Sequence, residues 1–129
     1  MANKNYYMAA EKIPPKRWLG YTELVHGRFG IHIAKTSAGW KPIFQQYPFI
    51  HSLSEWKTEY EDYDCTIFDE YGQNYSWNDF MEIINTEQEK GKSHAKEQME
   101  HVDKNSILSY DLYYDLDDDG YEFMTCSFC

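Results

Sequence analysis

The chain is short of cysteine, glycine and proline, with 3, 7 and 4 of each in 129 residues, and it has no long apolar run. Three cysteines are an odd, sparse set. They argue against a disulfide scaffold and fit a reducing, cytoplasmic setting. No stretch approaches the roughly 20 apolar residues that span a bilayer, and the opening MANKNYYMAAEK holds no apolar core of a secretory leader. Positive charge is also scarce. Twelve Lys and Arg stand against twenty-two Asp and Glu, for a net charge of −10. A net negative field disfavours direct nucleic-acid binding, which needs cations to displace counterions.

The scarcity of cations is local. Residues 1–50 hold seven Lys or Arg (Lys4, Lys12, Lys16, Arg17, Arg28, Lys35, Lys41) and two acids, a net +5; residues 51–129 hold five Lys and twenty acids, a net −15. The chain is therefore bipolar. That polarity suits a partner with a basic surface, or two copies paired head to tail. Aromatic residues are plentiful at 18%, with 12 Tyr, 7 Phe and 4 Trp. They bury large areas per residue, so 129 residues are enough for one core and a single domain spanning 1–129.

Local patterns predict an α+β fold. Asn5–Ala9, Tyr21–His26, Phe29–Ile33 and Lys41–Tyr47 read as strands, broken by Pro14-Pro15, Gly27 and the turn Thr36–Gly39. Ser52 with Glu55 three residues on forms a capping box, and Leu53, Trp56 and Tyr60 make an apolar stripe, so a helix runs over 52–60. Its outer face is expected to carry Glu55, Glu59 and Glu61, continuing into Asp62 and Asp64. Cys65–Phe68 reads as a strand, and Asp69-Glu70-Tyr71-Gly72 as the turn after it. A second helix opens at Ser76, with Trp77, Phe80, Met81 and Ile84 facing inward. Residues 86–104 are polar, helix-prone and weakened at Gly91. Ile107–Tyr114 and Tyr121–Phe128 read as a closing hairpin around Asp117–Gly120. The expectation is a small antiparallel or mixed sheet with two to three helices and a C-terminal β-hairpin.

The segment His32-Ile33-Ala34-Lys35-Thr36-Ser37-Ala38-Gly39-Trp40 resembles a His-Ile-Gly-Lys-Ser-Ser-Ala-Gly-Trp motif in a family of small tailed-phage and prophage proteins. Asn5-Tyr6-Tyr7, Pro42-Ile43-Phe44, Leu53–Trp56, Asp69–Gly72, Met81–Ile84 and Gly120–Phe123 are also similar to that family. The resemblance implies a phage origin and no settled activity. Residue 34 is Ala where the family prefers Gly. The Cys-x-x-Cys pair that often precedes the motif in relatives has no counterpart in Lys12–Arg28.

Four groups of residues are candidates for function. Within the motif, His32, Lys35, Ser37 and Trp40 form either a structural turn with a packed tryptophan or a contact for an anion or a partner. Strict strand alternation puts His32 on one face with Ala34, and Ile31, Ile33 and Lys35 on the other. Asp115, Asp117 and Asp119, followed by Gly120, match the first half of a calcium loop. Glu122 stands where an apolar residue is usual, and Cys126 where a bidentate Glu belongs, so an acidic hairpin tip is the competing reading. Cys126 and Cys129, with Cys65 and a histidine, could complete a zinc set. His94 and His101 share a helical face and read more readily as polar surface.

The carboxylates Glu55, Glu59, Glu61, Asp62, Asp64, Asp69 and Glu70 are the expected contacts with a basic partner. The expected function is a non-enzymatic, phage-encoded protein in the host cytoplasm. It would bind and block a host factor, such as one of defence or one that handles nucleic acid. A metal-binding domain or metal-dependent enzyme is the alternative.

Overall fold

The computed structural model describes residues 3–11, 13–97 and 114–125. In chain order the strands are β1 (Lys4–Ala9), β2 (Thr22–Val25), β3 (Arg28–Thr36), β4 (Ile43–Gln45), β5 (Thr66–Asp69), β6 (Asn74–Tyr75), β7 (Tyr114–Leu116) and β8 (Glu122–Met124). The helices are α1 (Leu53–Asp62) and α2 (Trp77–Lys90), with a 3-10 turn at Lys16–Trp18 and a further helical turn at 94–97. The fold is α+β.

The strands of the described residues join one mixed sheet in the order β6-β5-β1-β3-β4-β8-β7, and β2 pairs with β3 beside that path. β2 and β3 form a hairpin through His26 and Gly27, both with positive φ. Most neighbours are antiparallel. The exception is β4 with β8, which run parallel, with Phe44 opposite Phe123. β8 then pairs with β7 as the C-terminal hairpin.

Both helices start on the expected caps. The Ser52 hydroxyl accepts from the Glu55 N–H at 3.2 Å, and the Ser76 hydroxyl accepts from the Asp79 N–H at 3.1 Å. Their apolar stripes, Leu53 and Trp56 on α1 and Phe80 and Ile84 on α2, pack on one face of the sheet. There they meet Tyr6, Met8, Ile31, Ile33, Phe44, Ile67 and Phe123. The opposite face carries a smaller cluster of Tyr7, Ala9 and Phe68. Gly91 ends α2, earlier than the polar stretch 86–104 suggested.

One irregularity changes which side chains share a face. Tyr6 pairs with Ala34 but Tyr7 pairs with His32, so Ile33 is an extra residue in β3. Such a bulge breaks the two-residue alternation. Ala34 therefore joins Ile31 and Ile33 in the main core, and His32 stacks on Tyr7 across the sheet. This corrects the expectation that His32 and Ala34 share a face.

Candidate functional site

The seven carboxylates expected to meet a partner divide by their surroundings. Glu59 is only 6% exposed. Its carboxylate accepts from Arg17 through two nitrogens and from Trp18 Nε1 at 2.7 Å. The reading of Glu59 as outer-face is thus corrected: it fastens the 3-10 turn to α1. Asp69 is 1% exposed. It accepts from the Tyr71 and Gln73 N–H groups and the Tyr75 hydroxyl, with Lys4 at 3.5 Å. Burial alone would raise its pKa, but those hydrogen bonds and Lys4 together hold it below the usual carboxylate range. Glu70 accepts from the Asn5 backbone and side chain. These three acids build the fold.

Glu55, Glu61, Asp62 and Asp64 are exposed, as are Asp79, Glu82 and Glu89 of the second helix. All belong to the helical layer, where Tyr60 of α1 meets Trp77 of α2 at 5.4 Å between ring centroids. Among the described residues, only Glu55 of these seven has an ionic contact, with His51 at 4.0 Å. Among the described residues, the exposed acids of the two helices outnumber the exposed lysines there, Lys57 and Lys90.

The His32–Trp40 segment faces the other way. Phe68, Tyr7 and His32 form a stacked row across β5, β1 and β3, with centroid spacings of 5.7 and 4.6 Å. Arg28 lies over Phe68 at 4.0 Å and donates to Asn74, so the β2–β3 hairpin folds onto this row. Gly30 sits beneath it: a Cβ there would be 3.0 Å from the Phe68 ring. Burial first, and Lys35 second, push the His32 imidazole down to about 4. It is neutral near pH 7.

Beyond His32 the motif turns at Gly39 (φ +84°), where Trp40 N–H bonds to the Ser37 carbonyl. Trp40 stacks on His94 at 4.3 Å, and His94 on Tyr114 at 5.1 Å. The backbone N–H groups of Lys92 and Lys41 reach the Gly39 and Lys92 carbonyls. Glu122, 1% exposed, accepts from the His94 and Ala95 N–H groups and so caps the helical turn at 94–97. Burial and Lys35 lower the His94 pKa against the pull of Glu122. His32, Lys35 and Trp40 thus lie along one side of the sheet, and Ser37 shapes the turn between them. These contacts are those of a docked structural turn.

At the hairpin tip, Asp117 Oδ1 accepts from Asp119 and Tyr121 N–H, while Oδ2 accepts from Leu53 N–H at 2.9 Å. Asp115 turns back to the Leu116 N–H. The three aspartates are not brought around one point. Among the described residues, no three His, Cys, Asp or Glu side chains are arranged to hold a metal. Cys65 is buried, and burial first, with Glu59 and Asp64 adding, pushes its thiol up to about 12. Cys126, Cys129 and His101 lie outside the described residues, as do Ile107–Tyr113 of the expected strand.

Sequence reasoning overlooked two hollows. One, of about 530 Å³, lies between the end of β1 and the β2–β3 hairpin, lined by Ala9, Ala10, Pro14, Leu19 and Phe29 together with the polar Glu11, Thr22, Arg28 and Thr66. The other, of about 300 Å³, is lined by Glu11, Ile13, Asp62, Tyr63 and Asp64. The signal for the first was Leu19 and Phe29, large apolar residues left exposed on either side of β2. No helix among the described residues is long and apolar enough to cross a membrane. Compared with family models, curated proteins and solved structures, the chain matches none.

Proposed function

We propose that the protein is a non-enzymatic, phage-encoded inhibitor that binds a basic surface of a host protein in the host cytoplasm. The observation that carries this reading is the layout of acids on α1 and α2. Glu55, Glu61, Asp62, Asp64, Asp79, Glu82 and Glu89 are exposed on the two helices or just beyond α1, outnumber the exposed Lys57 and Lys90 there, and among the described residues only Glu55 of these acids has an ionic contact. Fold stability does not ask for that arrangement; unpaired like charges repel. A partner's Lys and Arg would neutralise them and steer its approach. The resemblance of His32–Trp40 to a phage motif supports the origin. Blocking by occupancy requires no turnover, and a defence or nucleic-acid-handling factor offers the basic groove such a surface suits.

The test is affinity capture from host lysate at about 50 mM and about 500 mM salt, since screening shortens the reach of exposed charges. A variant carrying Glu61→Lys, Glu82→Lys and Glu89→Lys serves as control. One host protein held by the wild type at low salt, released at high salt and ignored by the variant is the expected result. A host protein retained equally by wild type and variant at both salts would overturn the proposal.

A further inference from the structure

The two hollows adjoin, and together they read a specific kind of partner segment. Glu11 borders both, with Ile13 on one side and Pro14 on the other. Seven large apolar side chains are exposed among the described residues, and three of them line the hollows: Ile13 at 81%, Leu19 at 65% and Phe29 at 64%. Leu24 stands opposite Phe29 in the hairpin register. Concentrated apolar exposure of this kind marks a contact surface more than scattered single residues do. The larger hollow, at about 530 Å³, is wide enough for a bulky side chain with its backbone.

The smaller hollow sets three acids, Glu11, Asp62 and Asp64, around Ile13 and Tyr63. It sits at the C-terminal end of α1, the negative pole of the helix dipole, where a cation is favoured. No basic residue stands in the last turn of α1. Glu61 and Asp62 end the helix instead, and Asp64 and Glu11 complete an acidic rim over the Tyr63 ring. Arg17 lies 5.4 Å from that ring, but its guanidinium is held by Glu59. Because Glu59 engages Arg17, the acids Glu61, Asp62, Asp64 and Glu11 leave this helix end with an excess of negative charge, which an incoming cation would relieve.

The geometry points to a docking site for a partner segment that carries a bulky apolar side chain beside Lys or Arg. The apolar group enters the larger hollow and the cation the smaller. This rests on the acidic-surface reading above and narrows it to one end of α1.

The probes are three capped, dye-labelled decapeptides followed by fluorescence anisotropy: one with Trp flanked by Arg, one with Trp flanked by Glu, one with Ala flanked by Arg. The Trp–Arg peptide is expected to bind at least about tenfold more tightly than either other, because each half of the site then contributes. Phe29→Ser, at an exposed hairpin position, should weaken it about tenfold, and Asp62→Lys with Asp64→Lys should do the same. Leu116→Ser, at an exposed position of β7 on the far edge of the sheet, should leave it unchanged. Equal binding of all three peptides, or no binding of the first, overturns the site. Loss on Glu82→Lys with Glu89→Lys but not on Phe29→Ser also overturns it, while leaving the broader acidic-surface reading standing. A wild-type dimer that Phe29→Ser converts to monomer overturns it too, since a second copy then covers the apolar hollow.

Discussion

Arg17 grips the carboxylate of Glu59 from forty-two positions away, and Trp18 adds its indole N–H to the same oxygen that Arg17 Nε reaches. Glu59→Ala strands the buried indole donor of Trp18 and leaves the Arg17 guanidinium without its carboxylate. Arg17 is partly exposed, so water recovers some of the loss; a destabilisation of about 2–3 kcal/mol is expected. Glu61→Ala, two positions on and exposed, should change stability by no more than about 0.5 kcal/mol. Urea midpoints of the two variants decide it, and equal midpoints would contradict the structural role given to Glu59.

Gly91 is the narrowest passage among the described glycines. A Cβ at this position would lie 2.2 Å from the Lys41 nitrogen and the Trp40 carbonyl carbon, both backbone atoms. Gly91→Ala therefore forces Trp40 and His94 apart, and costs about 3 kcal/mol or more. Near-ultraviolet circular dichroism should lose part of its tryptophan signal with it. A variant with unchanged spectrum and stability would show that Trp40 is not docked as described.

The imidazole of His32 links stability to pH. Its folded pKa is about 4, against an ordinary 6.5. A base whose pKa falls on folding binds fewer protons folded than unfolded between those values. Its contribution is thus full above about pH 6.5 and is lost as pH falls toward about 4, reaching at most ~3 kcal/mol. His32→Gln should flatten the urea midpoint across pH 4–7 relative to wild type. Parallel pH curves for the two proteins would rule out His32 as the source of acid sensitivity.

Asp117 organises the hairpin tip through backbone hydrogen bonds, and ties it to the start of α1 through Leu53. Asp117→Ala should cost about 1–3 kcal/mol. The loss should be the same in chelator and in millimolar calcium. A calcium-dependent rise in the wild-type melting temperature, absent in Asp117→Ala, would instead revive the calcium-loop reading.

The helices were legible because their signals are local. Ser52 and Ser76 cap as expected, and the inward stripes Leu53–Trp56 and Trp77–Phe80–Ile84 follow the helical period. The β2–β3 hairpin was legible from its apolar and aromatic runs around Gly27. The bulge at Ile33 was not, because an inserted residue in a strand looks like any other residue until its partner is known. Glu59 misled for a related reason. It sits three residues after Trp56, close to the buried stripe, and its partner Arg17 is remote in sequence. The parallel pairing of β4 with β8 carried no local mark either. The acids of the candidate site were legible as a charge but not in their separate roles. Charge counts cannot separate Asp69, fully engaged, from Asp64, exposed to solvent.

The pairing of Ile43–Gln45 with Glu122–Met124 also governs when the sheet can be completed. Gln45 Nε2 bonds to the carbonyl of Met124, seventy-nine positions later. Phe123 fills a fully enclosed place beside Phe44. As the chain leaves the ribosome, β1, β3 and β5 can assemble early. β4 nevertheless keeps a bare edge until residue 124 has emerged. Such edges recruit strands from other chains. Nascent copies on one polysome are therefore exposed to mispairing at Ile43–Gln45 through the making of everything between, and release from that hazard comes only with β8.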